Sequence, residues 1–178
     1  MTHAAFELMR RADRARRENR VHDAHREFSE AVALCRQAGE QLELVQALKG
    51  LGQIERDLGR NDAARPLYEE AVAICRTRDD TLALAHAVRH LADIHQDAGR
   101  VRLAEPYYHE ALALYRGSER TNPLDLANAV RPLALLKESA GQIEEARRLW
   151  SEARDLYAAA NVQDGLAESS ARLARLGR

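Results

Sequence analysis

The sequence predicts an all-α solenoid, a stack of paired helices, and three observations carry that prediction. The first is a stride. Asn19-Arg20, Gly59-Arg60, Gly99-Arg100 and Gly141-Gln142 recur at steps of 40, 40 and 42 residues, each closing one helical stretch and opening another. The second is a pair of residues after each turn, an alanine and then a ring four positions on: Ala24/Phe28, Ala64/Tyr68, Ala104/Tyr108 and Ala146/Trp150. The third is composition: Ala, Leu, Glu and Arg are good helix formers, whereas aromatics at 4% and few Val/Ile clusters speak against a sheet. Self-similarity at a fixed period signals stacked repeats in place of a single globular core.

The first unit covers about residues 2–40, and Asn19, the residue most tolerant of left-handed backbone after glycine, takes its turn position. No helix precedes this unit to cover Phe6, Leu8 and Met9, so its apolar end invites a homodimer through the N-terminal repeat. In the second unit, 41–80, Leu44, Val45, Leu48, Leu51 and Ile54 form one stripe of a helix running from about Leu42 to Leu58. Gly59 ends it in left-handed backbone, and Asn61 or Asp62 is expected to cap the next helix. Pro66, and Pro106 in the third unit (81–122), fall early in second helices, where a missing N–H costs less.

The connection 117–123 carries the two extra residues of the longer step, and Asn122-Pro123 reads as a helix start for the fourth unit, 123–162. Pro132 lies well inside that helix and predicts a kink. A last segment, 164–178, repeats the first-helix pattern, with Ser170 where Leu8, Leu48, Val88 and Val130 are apolar. Such a helix is expected to be a solvating cap on a single domain spanning 1–178.

These residues resemble the tetratricopeptide repeat family. Leu followed by a small residue appears as Leu51-Gly52, Leu91-Ala92 and Leu133-Ala134. The small–ring–Ala spacing appears as Ala24/Phe28/Ala31, Ala64/Tyr68/Ala71, Ala104/Tyr108/Ala111 and Ala146/Trp150/Ala153. The long stride resembles the subgroup seen in kinesin light chains and many bacterial regulators, and Arg11 departs from the pattern where a leucine is asked for. The resemblance implies a right-handed superhelix whose first helices line a concave face. Carried onto this chain, that face comprises Gln46, Lys49, Gln53 and Arg56, then His86, Arg89, Asp93 and Gln96, then Asn128, Arg131, Leu135 and Glu138. Phe6, Met9, Asp13 and Arg16 extend it into the first unit.

Two columns run across the units. Gln46/His86/Asn128 donate or accept hydrogen bonds, and Lys49/Arg89/Arg131 is cationic. Such a face suits an extended peptide, whose backbone amides meet the first column and whose carboxylates meet the second. The expected function is a protein-interaction scaffold holding an acidic peptide or protein segment in its groove. The alternative is a ligand- or signal-peptide-sensing module that controls assembly with a partner.

Other chemistry is thin. His86 and His90 stand i,i+4 with Asp93, His95 and Asp97 nearby, but no second metal-binding motif accompanies them, so no metal or cofactor is expected. No glycine-rich phosphate loop, HExxH or nucleophile beside a base is present, and no enzyme activity is expected. The arginines between Arg10 and Arg20 are diluted by Asp13 and Glu18 and lack interleaved aromatics. They read as a solvated face, and no nucleic-acid partner is expected. The net charge of −1 gives no pull toward polyanions or membranes.

Neither a signal peptide nor a membrane span is expected from the apolar pattern. Cys35 and Cys75 occupy equivalent places in stacked helices about 8–10 Å apart, beyond the reach of a disulfide at about 7 Å. Two packing thiols point to a cytoplasmic protein. Lysine occurs only at 49 and 137, an arginine bias associated with GC-rich bacterial genomes.

Overall fold

The computed structural model describes residues 3–78 and 80–177. Among them are nine helices and no strand: α1(His3–Arg17), α2(Val21–Ala38), α3(Gln41–Asp57), α4(Asn61–Arg76), α5(Thr81–Asp97), α6(Val101–Arg116), α7(Pro123–Ser139), α8(Ile143–Ala159) and α9(Gln163–Leu176). Each helix packs on the next in chain order, so pairs α1/α2 to α7/α8 stack with α9 on the end. First helices also touch one another, α1 with α3, α3 with α5 and α5 with α7. Second helices make no comparable contact among the described residues, so the stack curves with the first helices on its inner wall.

The turns explain why the helices end where they do. Asn19, Gly59, Gly99 and Gly141 have φ of 58°, 72°, 69° and 72°. After each, one N–H reaches back to a carbonyl five residues earlier: Arg20 to Ala15 at 2.8 Å, Arg60 to Glu55 at 2.8 Å, Arg100 to His95 at 2.8 Å and Gln142 to Lys137 at 2.9 Å. This closure satisfies carbonyls a helix end leaves free. Gly39 and Asn161 close α2 and α8 the same way.

The expected side-chain cap at Asn61 or Asp62 does not form. Asn61 is already the first residue of α4, and the N-cap, Arg60, makes no side-chain cap bond. A turn this short leaves no extended residue to aim a carboxylate or amide at the helix end. Where the connection is longer the caps appear: Asp80 accepts from Ala83 N, and Asn122 accepts from Asp125 N with Pro123 in the first turn. Helix α7 runs on through the buried Pro132.

The core follows the small-and-ring pattern. Ala24, Ala64, Ala104 and Ala146 are fully buried, as are Tyr68 and Trp150. Phe28 lies against Gly50 of the next unit and Tyr68 against Gly52 of its own. Arg11, the departure from the pattern, bonds the buried Glu27 at 2.7 Å. Leu8 and Met9 are buried, which corrects the expectation of an apolar end: α1 turns them into its contacts with α2 and α3 and leaves Phe6 exposed under Arg10. On α9, Ala167, Ser170 and Ala174 are exposed.

On the outer wall three equivalent ion pairs tie successive second helices: Arg36 with Glu70, Arg76 with Glu110 at 2.9 Å, and Arg116 with Glu152 at 2.7 Å. No helix among the described residues is long and apolar enough to cross a membrane.

Candidate functional site

A pocket of about 490 Å³ opens on the inner wall. Four successive inner helices build it: α3 gives Arg56, α5 gives Arg89, Asp93, Gln96 and Asp97, α7 gives Leu124, Asn128, Arg131, Pro132 and Leu135, and α9 gives Asp164, Gly165 and Glu168. Tyr108 and Tyr157 reach in from second helices, beside Val162. Seven of the residues named from sequence therefore meet in one place: Arg56, Arg89, Asp93, Gln96, Asn128, Arg131 and Leu135. Gln46, Lys49, Gln53 and His86 lie outside it, as does Glu138, which is bonded to Trp150 Nε1 and Arg172.

Asp93 is the hub. Its Oδ2 accepts from Arg56 Nη1 at 3.1 Å and Arg89 Nη1 at 3.0 Å, and its Oδ1 from the Tyr108 hydroxyl at 2.9 Å. Tyr108 Oη also lies 2.6 Å from Gln96 Oε1. One hydroxyl hydrogen serves one acceptor, so it goes to the carboxylate, and the Gln96 amide turns its N–H toward the phenol oxygen. Burial works to raise the Asp93 carboxyl's pKa, but the bond from His90 and the charges of Arg89 and Arg56 outweigh it and hold it low.

His90 stacks on Tyr68 with ring centroids 4.8 Å apart, and its nitrogens sit 2.9 Å from Arg56 Nη1 and 3.0 Å from Arg89 Nη2. Burial, helped by Arg89 and Arg56, pushes its pKa down to about 4, so the ring is neutral at pH 7. A neutral imidazole accepts at one nitrogen only, so just one of these two arginines donates to the ring, and Nδ1 also lies 3.4 Å from Asp93 Oδ2.

The cationic column is not a free positive strip. Arg89 is spent on Asp93, and Arg131 bonds Glu168 through Nε at 2.6 Å and Nη2 at 3.0 Å. Lys49 makes no ion pair with a described residue, and burial lowers its pKa. Three arginines and four carboxylates line the pocket, so it is mixed in charge where a cationic groove was expected.

The hydrogen-bonding column is partly spent as well. The Tyr115 hydroxyl sits 3.0 Å from His86 Nδ1, and the Tyr157 hydroxyl donates to Asn128 Oδ1 at 3.2 Å. Cys75 stands where those tyrosines stand, and there Gln46 is exposed. His95, the third histidine of the metal candidate, stacks on Tyr107 instead, and no described group of His, Cys, Asp and Glu is arranged to hold a metal. The sequence reading missed Glu168, although continuing the steps of the column Gln46/His86/Asn128 into the last helix arrives at it.

Helix pairs joined by left-handed turns, rings seated on small residues, and a polar pocket on the wall of first helices define a helical-repeat solenoid. Family models described as tetratricopeptide repeat match residues 5–77 and 84–117, together more than half of the chain, and the chain belongs to that family. Such repeats are typical of protein–protein interaction scaffolds.

The structure is similar to that of BtubC (BKLC) from P. vanneervenii at 20% identity and a TM-score of 0.70, covering 93% of this chain and 76% of that one. It is similar to a point variant of nearly identical kinesin-light-chain TPR-like repeats from Podosopora anserina at 20% identity and a TM-score of 0.77, covering 99% and 87%. Against aspartyl phosphate phosphatase F from Bacillus subtilis the TM-score is 0.83 at 14% identity, covering 93% of this chain and 43% of that one. At these identities the likenesses show the fold alone. No curated protein matches the sequence.

Proposed function

We propose that this protein is a non-catalytic scaffold whose inner wall binds an extended segment of a partner protein in the pocket between α3 and α9. The observation that carries the reading is convergence: four consecutive inner helices contribute polar side chains to one cavity. A cavity of this size holds a few side chains or a small ligand. Gln96 and Asn128 offer amides to a peptide backbone, and Arg131, 39% exposed, is the lining cation most open to a carboxylate on the segment. Cys35 and Cys75 are buried, unpaired and pushed up in pKa by burial, which suits a reducing compartment such as the cytoplasm.

A photo-crosslinking side chain at Leu135, on the inner wall, is expected to capture partner proteins that the same group at Leu103, exposed on α6, does not. Arg131→Glu is expected to reduce that capture. Equal capture from both positions would place the binding surface elsewhere. The pocket's volume also admits a sensing role in which a small ligand or signal peptide fills it. Ligand density in the pocket of protein purified without its partner would favour that second reading.

A further inference from the structure

We propose that Glu168 of α9 is an internal ligand for Arg131, making the last helix a gate over the anion-binding part of the pocket. The proposal rests on the groove-binding reading and adds its regulation.

The contact has the form a bound carboxylate would take. Arg131 presents the Nε–Nη2 edge of its guanidinium, and Glu168 meets it with both oxygens, at 2.6 and 3.0 Å. Bidentate pairing of this kind is how arginine recognises carboxylates on ligands. Both residues line the pocket, so Glu168 already fills the position an incoming acidic side chain would take.

The pair is built to exchange. Its side chains are 39% and 29% exposed, against 18% and 13% for Arg56 and Asp93, which bridge α3 and α5 at the same spacing along the chain. Water reaches the first pair and screens it, whereas the second is locked into the Asp93 hub. Glu168 also has another cation at hand, since Arg172, one turn on, lies 3.9 Å from its Oε1. Releasing Arg131 therefore leaves Glu168 paired. Helix α9 is itself lightly held: Ser169 alone of its 14 residues is buried, whereas α7 buries eight. Segments with so little buried surface open at lower free energy than the core.

The test uses fluorescein-labelled, amidated hexaglutamate as the anionic probe, with binding followed by polarisation at low salt. Glu168→Gln keeps size and helix propensity while weakening the internal bond, and is expected to bind the probe about tenfold more tightly than the wild type. Arg131→Gln added to it is expected to remove the gain. Glu144→Gln, which makes the same charge change at a residue 84% exposed, is expected to show none. Hydrogen exchange of the full chain is expected to quicken over α9 in Glu168→Gln, with α6 unchanged. If Glu168→Gln binds no better than wild type while Arg131→Gln loses the probe, the gate is wrong and the groove reading stands. If the double variant keeps the gain, or no variant binds, Arg131 is not an anion site, and the gate fails together with the placement of the acidic contact.

Discussion

The ring of Tyr68 closes over Gly52 so tightly that a Cβ there would lie 2.8 Å from Cε2 and 2.9 Å from Cζ. The tyrosine is fully buried and stacked on His90, so the ring has nowhere to retreat.

Gly52→Ala is therefore expected to destabilise the protein despite the better helix propensity of alanine. Overpacking a sealed core costs about 1–3 kcal/mol, against a propensity gain of about 1 kcal/mol. Urea denaturation reads the net loss as a lower midpoint. An unchanged or raised midpoint would mean that α3 and α4 shift apart without cost.

The periodic part of this fold was legible because its causes are local. A glycine that ends a helix and a ring four residues after an alanine act within one unit, so Gly59 and Tyr68 carry the same message as Gly99 and Tyr108. The charge of the groove was not legible, because its partners come from neighbouring units. Nothing in the sequence around Arg131 says that Glu168, 37 positions on, will meet it; the stacking distance decides that. Arg89 is readable from sequence as a cation on the inner wall, but Asp93 one turn away neutralises it. Leu8 and Met9 were misplaced for a related reason: the rotation of α1 is set by α2 and α3, and its own sequence does not reveal it.

Acid is expected to loosen the hub before it unfolds the protein. His90 titrates near 4 in the fold, through burial first and the charges of Arg89 and Arg56, and near 6.5 when unfolded. A lowered histidine pKa means that the unfolded chain binds the proton more readily, so stability is full above about pH 6.5 and is lost as pH falls toward 4. His86, pushed down to about 4 chiefly by burial and Lys49, adds to the same window. Asp93, held low, loses its contribution only further into acid. Melting temperatures taken from pH 7.5 to 4.5 are expected to fall, and to fall less steeply in His90→Gln. An equal slope in that variant would show that the ring gains its proton without cost in the fold.

Arg11 and Glu27 stand where the second unit has Leu51 and Leu67, so the first unit replaces an apolar pair with a bonded ionic one. The two charges are unequal: Arg11 is 61% exposed, whereas Glu27 is 7% exposed, and its Oε2 has no hydrogen-bond partner among the described residues. Arg11→Leu alone strands the carboxylate against the core, and an unpaired buried polar group costs about 1–3 kcal/mol. The double change Arg11→Leu with Glu27→Leu removes the charge and restores the apolar pattern. Replacing an enclosed ion pair by well-packed apolar groups is often neutral or stabilising by about 1–4 kcal/mol. The exposure of Arg11 places the gain at the low end, since solvent already screens the pair. A double-mutant cycle in urea is expected to show the single variant below wild type and the double variant at or above it. Additive losses would show that Glu27 is held by the shape of the α1–α2 contact and not by its arginine.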